Sequence, residues 1–174
     1  MRSIAMMVIA AVLAAPGAGL AATVGPDLCT PEGGFGYRLG ISEADIAYPH
    51  DPGDGSITVP LPPGQAPFSS LELYLTEDSH LVYGMMAEAV LASPGDAQAL
   101  KARLEQQIRA GGLFSFELPG DSPSVQFSTV RPLQEGLRPP SGQSAVVWSH
   151  FNTVRVYCGD FAVETLAERE VGGP

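Results

Sequence analysis

The chain has one lysine (Lys101), one tryptophan (Trp148), two cysteines and three histidines in 174 residues. Each scarcity closes a door. Nineteen acidic residues face nine Lys and Arg, for a net charge of −10. That balance repels a phosphate backbone, so nucleic acid is not an expected partner; anionic membrane surfaces are disfavoured for the same reason. The two cysteines, Cys29 and Cys158, do not form a Cys-x-x-Cys motif, so nothing marks them as a redox pair. The histidines, His50, His80 and His150, stand far apart and show no His-x-x-x-His spacing. A zinc-type site would need several of them gathered with a carboxylate. No metal ligand set and no cofactor are therefore expected.

Nucleophile motifs are missing as well. There is no Gly-x-Ser-x-Gly elbow. Ser149 and His150 are neighbours, and neighbours on a strand point to opposite faces. Gly120-Asp121-Ser122-Pro123 reads as a hairpin turn. Gly33-Gly34-Phe35-Gly36 precedes a strand and lacks the lysine of a phosphate loop. His50-Asp51-Pro52-Gly53-Asp54 has the wrong acid spacing for a calcium loop. No catalytic residue is assigned. Beyond the N-terminus, no apolar run approaches the ~20 residues that span a bilayer.

The N-terminus itself carries a signal. Arg2 is followed by the apolar run Ile4–Leu13, then by the helix breakers Pro16 and Gly17. Gly19 and Ala21 supply small residues at −3 and −1 of a cleavage site. This is the grammar of a secretory signal peptide over residues 1–21. The residues before Cys29 are Pro26, Asp27 and Leu28, which do not suit lipid attachment. A chain with eight arginines, one lysine and much Ala, Gly and Pro fits a GC-rich bacterial genome. The expected location is thus periplasmic or secreted. In an oxidising compartment an isolated Cys29–Cys158 pair is most simply a structural disulfide.

Residues 22–32 read as a tail tied by Cys29, and residues 33–171 as a single domain. Phe35–Leu39 is predicted as a short strand. Ser42 and Asp45 form a cap for one helical turn through Ile46. The segment 49–67 holds six prolines and three glycines and is predicted as a loop, with a brief edge strand at Ile57–Val59. Leu71, Leu73 and Leu75 alternate with polar residues as a half-buried strand. Glu77–His80 is a turn and Leu81–Leu91 a two-sided apolar strand; symmetric pairing would set Tyr74 opposite Tyr83.

Ser93-Pro94-Gly95-Asp96 opens a helix: a cap, a proline at the first position and an acid at the positive end of the dipole. Ala97, Leu100, Leu104 and Ile108 form its apolar stripe, and Gly111-Gly112 ends it. Leu113–Leu118, Ser124–Val130 and Ser144–Ser149 read as strands, with a loop at Leu133–Gly142. Thr153–Cys158 and Phe161–Arg169 are predicted as a final hairpin about a Gly159-Asp160 turn, with Arg155 opposite Glu164 and Cys158 facing inward.

The expected fold is α+β: a mostly antiparallel sheet of about six to eight strands with one amphipathic helix, Pro94–Ala110, and one disulfide. Two function classes remain open. The first is a non-catalytic binding, adaptor or inhibitor domain that meets another envelope or secreted protein, with His50, Asp51, Asp54, Pro62 and Pro63 as its contact surface. The second is a small hydrolase or metal-dependent enzyme using His50, His80 or His150. Tyr74, Tyr83, Tyr157 and Trp148 make a binding surface if exposed; Trp148, in a strand, is expected in the core.

Overall fold

A computed structural model of the chain describes residues 28–30, 33–50, 55–116, 125–128 and 142–172. The leader 1–21, the residues Asp51 and Asp54, the turn 120–123 and most of the loop 133–142 lie outside the described residues. The first elements are β1 (Gly33–Gly34) and β2 (Tyr37–Arg38), a small hairpin. A 3-10 turn (Glu43–Asp45) follows, capped by Ser42. Then come β3 (Ser56–Val59), β4 (Ser70–Leu75), β5 (Val82–Val90), α1 (Pro94–Ala110), β6 (Phe114–Phe116), β7 (Val125–Ser128), β8 (Gln143–His150), β9 (Thr153–Asp160) and α2 (Phe161–Gly172).

Seven strands form one antiparallel sheet in the order β3-β4-β5-β9-β8-β7-β6. The α+β expectation holds. One face of the sheet is the core. Ile57, Val59, Leu71, Leu73, Met85, Ala87, Val154, Val156, Ala145, Val147 and Phe127 are all buried in one cluster. The helix α1 lies across β7, β8 and β9 and buries Ala97, Leu100, Leu104 and Ile108, its expected stripe. Its start is as read: the Ser93 hydroxyl accepts from the Asp96 backbone N–H at 3.2 Å, with Pro94 in the first turn. Cys158 sits on this same face and is disulfide-bonded to Cys29, so the N-terminal segment covers the rest of the core with Leu28, Phe35 and Ile46.

Three expectations are corrected. Phe35–Leu39 is not one strand. Phe35 and Gly36 are the turn between β1 and β2, with φ of 52° and 80°. The fully buried Phe35 ring meets Phe68 edge-on at 5.3 Å, and that burial holds a non-glycine residue in a left-handed conformation. Tyr74 is opposite Gly84, not Tyr83: the register slips between Tyr74 and Leu75, and Tyr83 is the extra residue of a bulge.

The third correction is the largest. Phe161–Gly172 is a helix, not a strand. β9 has β5 on one edge and β8 on the other, so no edge remains for a returning strand. The Asp160 carboxylate instead accepts from the backbone N–H groups of Ala162 at 2.8 Å and Val163 at 3.4 Å, which is helix N-capping. Arg155 pairs with Glu88 rather than Glu164. The hairpin partner of β9 is β8, joined through Phe151-Asn152, with Phe151 at φ 51°.

Candidate functional site

The strand registers place a second set of side chains on the face away from the core. Across β3, β4, β5, β9 and β8 these are Ser56, Glu72, Tyr74, Gly84, Met86, Glu88, Arg155, Tyr157, Gly159, Ser144, Val146 and Trp148. Tyr83, at the bulge, joins them. The three tyrosines, Met86, Val146 and Trp148 are each only partly buried. Trp148 is therefore not a core residue: its register partner is Arg155, on the side opposite Val147 and Val156. Among the described residues, α2 reaches this side, over one end of β5 and β9.

The face is built around two carboxylates with matching surroundings. Glu72 accepts hydrogen bonds from Ser56 at 2.6 Å and from the Tyr74 phenol at 2.9 Å. Glu164, from α2, accepts from Ser144 at 3.2 Å and from the Tyr157 phenol at 2.8 Å. Tyr157 lies flat over a floor of two glycines. A Cβ on Gly84 would stand 2.6 and 2.7 Å from ring carbons of Tyr157, and one on Gly159 would meet both Tyr157 and Glu164. These glycines are required by a close approach rather than by a turn.

The rings form a continuous row. Tyr74 is 6.0 Å from Tyr83 and 6.2 Å from Tyr157 between centroids. Burial pushes the Tyr74 phenol well above its ordinary range, and its hydrogen bond to Glu72 adds to this. Tyr83 is raised as well, by burial first and then by the charges of Glu164 and Glu72. The Arg155–Glu88 pair, at 2.6 Å, is partly exposed. Beside it, Trp148, His150, Thr153 and Arg155 line a shallow recess of about 100 Å³.

The histidines divide. Backbone bonds from Gly40 to Val82 and from Glu43 to His80 lay the segment 40–43 beside the start of β5. Glu43, 7% exposed, is thereby set against His80, whose Nδ1 is 2.9 Å from Oε2. His50 Nε2 reaches Oε1 at 3.3 Å, and its Nδ1 faces the Tyr48 carbonyl at 2.6 Å. Two histidines separated by thirty residues thus share one carboxylate. His150 is elsewhere, at the end of β8 with its ring 4.4 Å from Phe151. Among the described residues, no group of three or more His, Cys, Asp and Glu is arranged to hold a metal ion. Pro62 is half-buried and stands next to Gly36, while Pro63 is exposed.

Sequence reasoning missed Glu43, Glu72 and Glu164. Glu72 carried a faint signal, as an acid between two strand positions of Leu71-Glu72-Leu73-Tyr74; Glu164 was assigned to the wrong element. Comparison with protein-family models, with curated proteins and with solved structures gave no match to this chain.

Proposed function

We propose that this protein is an exported, non-catalytic binding domain whose half-buried, tyrosine-bearing sheet face receives a partner protein. The observation that carries this reading is the row of partly exposed rings of Tyr83, Tyr74 and Tyr157, with Trp148 on the same face of one sheet. Aromatic residues dominate binding energy at protein interfaces because they bury large area at low entropic cost. Strands hold them in place better than a loop does. The disulfide supports an oxidising compartment. No helix among the described residues is long and apolar enough to cross a membrane. The N-terminal leader supplies the export route.

This reading moves the contact surface from the loop 49–67 to the sheet. Part of that loop is structural: Ser56–Val59 is an edge strand of the main sheet, and Tyr37 donates to the Pro60 carbonyl at 3.2 Å. Deleting residues 50–66 would therefore unravel the sheet edge as well as any contact. A cleaner test compares the wild type with Tyr83→Ala and Trp148→Ala as baits in the extracellular and periplasmic fractions of the producing cell. The reading requires that a partner held by the wild type be lost from both variants while their melting temperatures stay close to it. Equal capture by all three would sink it. The intact mass of the exported protein should begin at Ala22 and be two daltons light for the disulfide.

A second reading, a small hydrolase, has one observation in its favour: His50 and His80 both contact Glu43. A carboxylate that orients an imidazole is the usual support of a general base. Ester hydrolysis that is present in the wild type and abolished in His80→Gln would favour it over binding.

A further inference from the structure

We propose that the half-buried tyrosine face of the sheet, beside α2, is a receptor for arginine or lysine side chains of a basic polypeptide segment, held over Tyr83 and Tyr74 beside Glu72. This rests on the binding reading above and names the chemistry of its partner. The first support is the company Glu72 keeps. Its hydrogen-bond donors are two neutral hydroxyls, those of Ser56 and Tyr74. They orient the carboxylate and leave its charge in place. The nearby cation on the face, Arg155, is engaged at 2.6 Å by Glu88.

The second support is the ring row. The face of an aromatic ring attracts a cation within about 6 Å of its centroid. Tyr74 and Tyr83 stand 6.0 Å apart and tilted by 32°, which sets two π systems beside the Glu72 carboxylate. The third is the field. Glu164 and Glu72 both act on the Tyr83 phenol and oppose its ionisation. Glu164 is buried and bonded to Ser144 and Tyr157, so Glu72 is the carboxylate that a cation over Tyr74 and Tyr83 meets. The chain as a whole carries −10, which steers basic partners toward it and repels acidic ones. An extended segment with alternate basic residues suits a pleated face, because its side chains also repeat with period two.

The experiment uses the mature, disulfide-bonded protein and three ten-residue peptides in which serine alternates with arginine, with citrulline or with glutamate. Citrulline keeps the shape of arginine without its charge. Calorimetry gives the affinity. The arginine peptide is expected to bind at least about tenfold more tightly than the citrulline peptide, with no binding of the glutamate peptide. Glu72→Gln is expected to weaken the arginine peptide by about tenfold. Asp45→Asn, which removes the same charge from an exposed position in the 3-10 turn, should change it by less than about twofold. Tyr83→Leu removes a ring that makes no hydrogen bond, and should weaken binding as Glu72→Gln does even if the latter perturbs the fold.

Equal weakening by Glu72→Gln and Asp45→Asn would mean diffuse attraction and would overturn the site. Arginine and citrulline peptides that bind equally, both weakened by Tyr83→Leu, would overturn the cation preference while leaving the face as the receptor. No binding of the arginine peptide would overturn the inference, and the capture comparison of face variants would then decide the broader reading by itself.

Discussion

The Tyr157 phenol donates a hydrogen bond of 2.8 Å to Glu164, joining the middle of β9 to the first turn of α2. The bond spans the point where the chain leaves the sheet and becomes helix. It also explains how Glu164 is tolerated at 8% exposure: the same carboxylate oxygen accepts from Ser144 at 3.2 Å. Removing the carboxylate leaves two hydroxyls without that acceptor. Glu164→Ala is expected to lower the unfolding free energy by about 1–3 kcal/mol, read from urea denaturation. A loss under about 0.5 kcal/mol would show that water replaces the carboxylate at no cost.

Tyr157 and Gly84 should be energetically coupled. A Cβ at position 84 lands on the phenol ring, so Gly84→Ala is expected to cost about 1–3 kcal/mol by overpacking. The penalty should shrink when Tyr157 is also replaced by alanine, because the clash has gone. A double-mutant cycle in denaturant measures this. Additive effects would mean that the two side chains do not compete for the same space.

The Cys29–Cys158 bond closes a separation of 129 residues. It anchors the N-terminal segment to the strand at the middle of the sheet. The double variant Cys29→Ala/Cys158→Ala should fold but lose about 2–5 kcal/mol. The midpoint of urea unfolding should fall equally when the wild type is treated with reductant. A reductant-insensitive midpoint would mean that the core alone holds the segment.

The tyrosine row makes stability sensitive to alkali. Burial and Glu72 raise the Tyr74 pKa in the folded state, and burial with Glu164 and Glu72 raises that of Tyr83. A group whose folded pKa lies above its unfolded value gives its full stability below the unfolded pKa and loses it as pH rises through the folded pKa. Unfolding free energy should therefore decline above about pH 10, where phenols ionise in the unfolded chain first. Tyr74→Phe should flatten that decline. Denaturant titrations from pH 8 to 11 provide the check, and an identical slope in wild type and variant would refute it.

At the acid end the sign reverses. The Ser79 hydroxyl and the backbone N–H groups of Asp78 and Ser79 hold the Glu170 carboxyl below its usual range. A depressed folded pKa gives stability that is present above the unfolded pKa and lost as pH falls through the folded one. Glu170 is only partly buried, so the effect is small. Glu170→Gln should flatten the acid limb only slightly, and 1 M salt should remove the difference.

How much could be read from residues alone depended on the range of the interactions. α1 was legible from end to end because its signals are local: the Ser93 cap, Pro94, the Ala97-Leu100-Leu104-Ile108 stripe and the Gly111-Gly112 stop all lie within twenty residues. The strand β4 followed from alternation, the edge position of β3 from proline placement, and β5 from the turn before it and the helix cap after it. The disulfide followed from there being just two cysteines. Each of these needs no knowledge of what lies across the molecule.

The fate of Phe161–Arg169 was different. Gly159-Asp160 suits a tight turn and also a strand-to-helix junction, and the residues after it tolerate either state. The choice belonged to β9, whose two edges were already filled by β5 and β8. An unpaired backbone needs its own hydrogen bonds, and a helix supplies them within the segment. The candidate site was hidden for the same reason. Composition and pattern determined an acidic, disulfide-tied α+β domain with an export leader as its expectation. Only the tertiary structure decided that Tyr74, Tyr83, Tyr157 and Trp148 share one face of the sheet with Glu72, and that α2 brings Glu164 against it, because sheet order and register, not sequence distance, set which side chains are neighbours.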